Sequence, residues 1–161
     1  MPVELWVASR WLHIIAAAFW IGGSLFLAAV LIPSVRRTMA SLERIEIVDV
    51  VARRFSRLSW IGMAVLTGTG VVNLWTMQFS FDDFLTRRGA TLIAKLVLFT
   101  VILVLSALHD FVYGPRAVNL ARVKGTESVD YAAERRRASW IARVNLSIGL
   151  AVLVLALMLR L

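Results

Sequence analysis

Four long apolar blocks, at about 5–33, 58–77, 90–114 and 139–159, constrain this chain more than any other feature. A helix that crosses a hydrocarbon core needs roughly 20 predominantly apolar residues, and every block meets that length. Lipid offers no water to backbone N–H and C=O groups, so a crossing segment must satisfy them internally, as a helix does. The composition agrees: 60% of the 161 residues are hydrophobic and 17% charged, where an average soluble domain carries about 25% charged. The expected fold class is all-α: a polytopic membrane protein, one four-helix transmembrane bundle over residues 1–161. The first block is not read as a signal peptide, because it is too long, contains Arg10 and His13, and lacks a small-residue cleavage site.

Charge placement orients the bundle. The net charge is +8, but the basic residues flank the spans, which speaks for membrane topology and against nucleic acid as a partner. Six arginines (Arg36, Arg37, Arg44, Arg53, Arg54, Arg57) lie in the first connection. Six Lys/Arg residues (Arg116, Arg122, Lys124, Arg135, Arg136, Arg137) lie in the third. The short 78–89 connection has Arg87 and Arg88 balanced by Asp82 and Asp83. Positive connections stay cytoplasmic. Both termini and the 78–89 loop are therefore expected on the outer, periplasmic side of a bacterial inner membrane.

The connections carry structure of their own. ASLERIEIVDVVARRFSRLSW alternates apolar residues and arginines at helical spacing, predicting an amphipathic cytoplasmic helix that runs into span two. Pro115 after Gly114 is expected to stop span three, and Ser128 to cap the helix that becomes span four. On the outer side FSFDDF reads as an interfacial segment. Ala18 with Gly22, and Ala64 with Gly68, form small-xxx-small pairs expected to let helices approach.

Ionisable groups at membrane depth are costly and usually face the bundle interior or a pathway. Here they are Arg10, His13, Lys95, His109, Asp110 and Arg143. With no cysteine in the chain, thiolate metal sites, disulfides and thiol catalysis are excluded. At about 100° per residue, Arg10, His13, Ala17, Trp20 and Ser24 form one stripe on span one. The alanines at 16–18 leave room beside the imidazole for a flat group such as a porphyrin, or for a neighbouring helix. Lys95, Ile102, Ser106 and His109 form a second stripe on span three.

A rise of roughly 1.5 Å per residue puts the two histidines some 16 Å apart in depth, so they cannot ligate one metal within one chain. Two layers result. The outer one holds Arg10, His13, Lys95 and Asn73, with Met77 and Met158 near its rim. The inner one holds His109, Asp110, Tyr113, Arg116 and Arg143, with Met63 and Asn145 nearby. A twofold dimer about the membrane normal would set two copies of His13 at equal depth.

Structural readings compete with these. Either histidine also serves as a cross-helix hydrogen-bonding group. Lys95 also snorkels to the outer edge, and Arg143 snorkels inward or pairs with Asp110. Most tryptophans (Trp6, Trp11, Trp60, Trp75, Trp140) sit near span ends as an aromatic belt does. Trp20 alone lies mid-span on the histidine stripe. The methionines suit packing better than copper ligation.

HIIAAAFWIGGSLFLAAV at 13–30 resembles the first helix of the copper-resistance D (CopD) domain, in which a His is followed by six residues, a Trp and a small-Gly-Gly run. AKLVLFTVILVLSALHDFVYGPRA at 94–117 is similar to another helix of that family. The resemblance implies copper uptake or homeostasis in the inner membrane, with His13 as the leading copper ligand. The chain also resembles, more distantly, the HemJ-type protoporphyrinogen oxidases, which implies haem b, with His13 and Lys95 at matching positions. That family's Tyr-x-x-Arg stretch and further His are absent from SLFLAAVLIPSVRR.

Three functions follow as expectations. The first is copper binding or transport, with His13 and His109 as metal stations. The second is a haem-binding redox protein, with His13 as axial ligand and Arg10 or Lys95 near the propionates; His13, Arg10, Trp20, Lys95 and Asn73 are the cofactor-site candidates. The third is a non-catalytic subunit or assembly factor in a larger membrane complex.

Overall fold

The computed structural model of the chain describes residues 3–39, 41–76 and 82–158. These residues form helices and turns, with no strand among them. Span one is α1 (Val3–Phe26), a π-helical segment (Leu27–Leu31) and α2 (Ile32–Thr38). Span two lies within α3 (Ser41–Thr76), a single helix of 36 residues that includes the amphipathic stretch before the span, as its periodicity predicts. A 3-10 turn (Asp82–Leu85) leads to α4 (Arg87–Ala107), a second π segment (Leu108–Tyr113) and α5 (Gly114–Lys124). The last helix is α6 (Val129–Met158). Met77 and residues 79–81, the first half of FSFDDF, lie outside the described residues, as does the side chain of Met158.

Four of these rods are long and apolar enough to cross a membrane, and little of each apolar stretch is covered by the other helices. Trp11 is 63% exposed, Ile15 58% and Phe26 53%. In water such faces would drive aggregation. In lipid they are the solvated surface. The rods also overrun the apolar blocks: Val3–Thr38 and Arg87–Lys124 have 36 and 38 residues. At 1.5 Å per residue both exceed a hydrocarbon core about 30 Å thick.

Pro115 does not end the third rod. The Gly114 N–H bonds His109 O, five residues back, and the helix continues through Pro115 to Lys124. Span one repeats the device: the Ile32 N–H bonds Leu27 O, and Pro33 follows. A proline lacks the N–H for an α turn, and its ring strikes a carbonyl of the preceding turn. A π turn inserts one residue, displacing that carbonyl and absorbing the missing donor. Gly114 is part of the solution, because a Cβ there would lie 2.8 Å from His109 O. Ser128 caps α6 as expected, accepting the Tyr131 N–H at 3.3 Å.

α1 packs antiparallel on α3, α4 on α6, and α5 against the first turns of α6. Trp20, Met63 and Ile102 form the buried core, flanked by Ile21, Trp60, Leu103, Ile148 and Val152. The close contacts do not use the expected small-residue pairs. Ala18, Gly22, Ala64 and Gly68 are all exposed, and a Cβ on Gly22 or Gly68 would touch nothing within 4 Å. Gly23 is the glycine that matters in α1, since a Cβ there would meet the Phe55 ring at 2.2 Å. Gly149 plays that part in α6, where a Cβ would meet Trp20 at 2.6 Å.

Beyond the apolar core, Asp49 on α3 accepts from Arg53 at 2.8 Å and from Arg122 on α5 at 3.2 Å. Its carboxylate is 9% exposed, so this contact joins the arginine-rich ends of spans two and three.

Candidate functional site

The face of α3 turned inward carries buried Ser59, Met63, Leu66 and Thr69. Ser56, Trp60 and Asn73 continue the same face at helical spacing. Two polar layers form along it.

In the outer layer His13 Nδ1 lies 2.8 Å from Thr69 Oγ1. The Thr69 hydroxyl spends its one proton on its own helix, donating to Val65 O at 2.7 Å. Its oxygen can then only accept from the ring, so Nδ1 carries the imidazole proton and Nε2 the lone pair. Ser9 Oγ, one turn earlier on α1, lies 3.2 Å from Asn73 Oδ1 and 3.4 Å from Thr69 O. Lys95 on α4 is near enough to act on His13 electrostatically. The α3 backbone fills part of the room beside the ring, with a Cβ on Gly70 falling 3.7 Å from His13 Cε1.

Two candidates on the same stripe go elsewhere. The Arg10 guanidinium lies over the Trp6 ring, 4.0 Å from its centroid. Trp20 is 7% exposed in the apolar core, fitted against Gly149, and does not line the imidazole layer.

The inner layer is built on the second π segment. His109 Nδ1 lies 2.8 Å from Asp110 Oδ1. Ser56 Oγ donates to Asp110 Oδ2 at 2.5 Å, and Trp60 Nε1 donates to the same oxygen at 3.2 Å. A carboxylate accepts only, so His109 also has its proton on Nδ1 and, when neutral, its lone pair on Nε2. Its side chain is 34% exposed, against 16% for Asp110. Trp60 further stacks on Phe111, with ring centroids 5.6 Å apart. Deeper in the core, Asn145 Nδ2 donates to Ser106 Oγ at 2.8 Å. Ser59 Oγ and Asn145 Oδ1 are buried with no hydrogen-bond partner among the described residues.

Three inner-layer candidates stand apart. Arg143 does not pair with Asp110: it lies on the exposed face of α6, and its Nε–H donates to Ser139 O at 3.1 Å. Arg116 is exposed and Tyr113 half-buried, and neither is hydrogen-bonded to the His109–Asp110 pair. Tyr113 closes the π segment, and Arg116 lies in the first turn of α5.

α3 also measures the separation of the layers. His13 meets it at Thr69, and Asp110 meets it at Ser56 and Trp60. Nine to thirteen residues of helix, from Trp60 or Ser56 to Thr69, rise roughly 14–20 Å. Among the described residues no three His, Cys, Asp or Glu side chains converge.

Sequence reasoning overlooked Ser9, Thr69 and Ser56, and read Trp60 as a belt residue. A signal existed in the recurrence of Ser, Thr and Asn on one face of span two, within a helix that otherwise looks apolar.

Polar layers inside a four-span bundle define a polytopic membrane protein with ionisable side chains at two depths. The family model for Copper resistance protein D matches residues 49–159, and the chain belongs to that family. The matched region begins within α3, so it contains His109, while His13 lies before it. An uncharacterized protein of Aquifex aeolicus (strain VF5) is 30% identical over 152 residues, covering 93% of this chain and 92% of that one. No solved structure gives a significant match.

Proposed function

We propose that the protein binds copper ions within the membrane and passes them between an outer station at His13 and an inner station at His109. Copper is the cargo in this reading, and the arginine-rich ends of the helices face the cytoplasm. Membership of the copper-resistance family supports the choice of metal.

The observation that carries the reading is the matched tethering of the two imidazoles. Each ring gives its Nδ1 proton to a fixed acceptor, Thr69 Oγ1 or Asp110 Oδ1. Each Nε2 is thereby oriented as a ligand atom, the arrangement that second-shell acceptors impose on metal-binding histidines. Imidazole nitrogen suits copper. Met63, 3% exposed between the layers, adds a thioether, and the unpartnered Ser59 and Asn145 oxygens add polar contacts near the inner station. One imidazole per layer holds an ion loosely enough to release it. A twofold dimer pairing two copies of His13 would tighten the outer station.

Titration of the purified full chain in mild detergent with Cu(I) tests this. The wild type is expected to bind at two classes of site, with His13→Ala abolishing one and His109→Ala the other. Unchanged stoichiometry in both variants would overturn the proposal. A Soret band in the purified protein that vanishes in His13→Ala would replace copper with haem at the outer layer.

A further inference from the structure

The outward face of α6 is ordered along its length in a way the copper reading does not use. Arg136, Trp140, Arg143, Ser147, Leu150 and Val154 are all exposed. At 100° per residue they fall within about 80° of one another, forming one stripe. Two cations flanking an indole come first, then a hydroxyl and an apolar rail. Trp140 is 63% exposed and Val154 57%. Trp140 marks the membrane interface, where indoles settle. Arg136 sits one turn to the water side of it.

Arg143 sits about one turn to the hydrocarbon side, and its Nε–H bond to Ser139 O folds the guanidinium back toward the arginine-rich end. The Arg143 guanidinium therefore reaches the level of the indole, and Arg136 lines a cleft together with Trp140. Neither has a carboxylate partner among the described residues, whereas neighbouring Arg137 is paired with Glu134 at 2.8 Å. That open cleft, about 370 Å³, is lined by Ala133, Arg136, Arg137 and Trp140.

We propose that this stripe is a binding site for one anionic phospholipid of the leaflet at the arginine-rich end. Arg136 and Arg143 clamp its phosphate, and the apolar rail of Leu150 and Val154 takes an acyl chain. Three properties favour a lipid. The two unneutralised cations lie at interfacial depth, where an anionic headgroup is the abundant counter-charge. Guanidinium matches phosphate oxygens with two parallel N–H donors. The order charge, hydroxyl, hydrocarbon runs in the direction of a phospholipid's own long axis.

Native mass spectrometry on the full chain, with phosphatidylglycerol or phosphatidylcholine added, reads the site directly. The wild type is expected to retain one phosphatidylglycerol per chain in preference to phosphatidylcholine, and inorganic phosphate should not displace it. Arg136→Ala with Arg143→Ala should weaken retention about thirtyfold, and Arg136→Gln alone about fivefold. The single variant, at an exposed position, carries the test if the double variant does not fold. Arg54→Ala with Arg57→Ala removes the same charge from α3 and should leave retention unchanged. Equal retention of both lipids, displacement by phosphate, no loss in Arg136→Gln, or an equal loss in the α3 variant would each overturn the proposal.

Discussion

Thr69 is the smallest unit on which the outer layer depends. Its hydroxyl donates to Val65 O and accepts from His13, so one side chain both satisfies itself and sets the imidazole tautomer. Thr69→Val keeps the shape and deletes the acceptor. Loss of a second-shell partner typically costs ten- to a hundredfold in metal affinity, so Thr69→Val is expected to weaken Cu(I) binding at the outer station by about tenfold. Thr69→Ser should remain near the wild type. Competition titration with a Cu(I) chelator measures both, and wild-type affinity in Thr69→Val would show that Nδ1 tethering has no part in binding. In the sequence the threonine merely follows Gly68 of the Ala64–Gly68 pair. Its role depended on which of two helices faced His13, which no local pattern contains.

At the scale of the element, the π segments explain how helices continue through Pro33 and Pro115. The sequence reading took Pro115 as a stop because an α turn cannot absorb it. The five-residue bond from Gly114 to His109 O supplies the missing register, and the same segment carries the His109–Asp110 pair. His109 and Asp110 lie inside the widened turn, which aims Asp110 at Ser56 and Trp60. Gly114→Ala would put a Cβ 2.8 Å from His109 O. It is expected to close or shift the π turn and pull Asp110 away from its donors. The Trp60 indole N–H, which donates to Asp110, reports this as a displaced proton resonance. An unmoved resonance would show that the turn does not need glycine there.

Across the whole molecule, packing sorts the glycines by what touches them. Gly22 and Gly149 look equivalent in sequence, each inside an apolar span. Only Gly149 faces a helix neighbour, with Trp20 at 2.6 Å from a built Cβ, while nothing lies near Gly22. Gly149→Ala overpacks the core and is expected to cost about 1–3 kcal/mol. Gly22→Ala should be neutral. Thermal unfolding in one detergent compares them, and equal midpoints would mean that the core yields freely around Trp20.

The number of spans, their helical nature, the helical extension that precedes span two and the Ser128 cap were legible in the sequence. Each follows from local physics: backbone groups in lipid must bond internally, and apolar length sets the crossing. The wide separation in depth of His13 and His109 was legible too, because helical rise is a constant of the chain. The tertiary structure alone decided which faces meet. It sent Arg10 to Trp6, Trp20 to the core, Arg143 to the outer surface of α6 and the inner carboxylate to Ser56 and Trp60. In lipid the apolar residues of a helix carry little information about its partners, since lipid and protein interior are alike to them. The rotation of each helix is settled by the few close fits and polar bonds between helices, and those exist only once the helices are assembled.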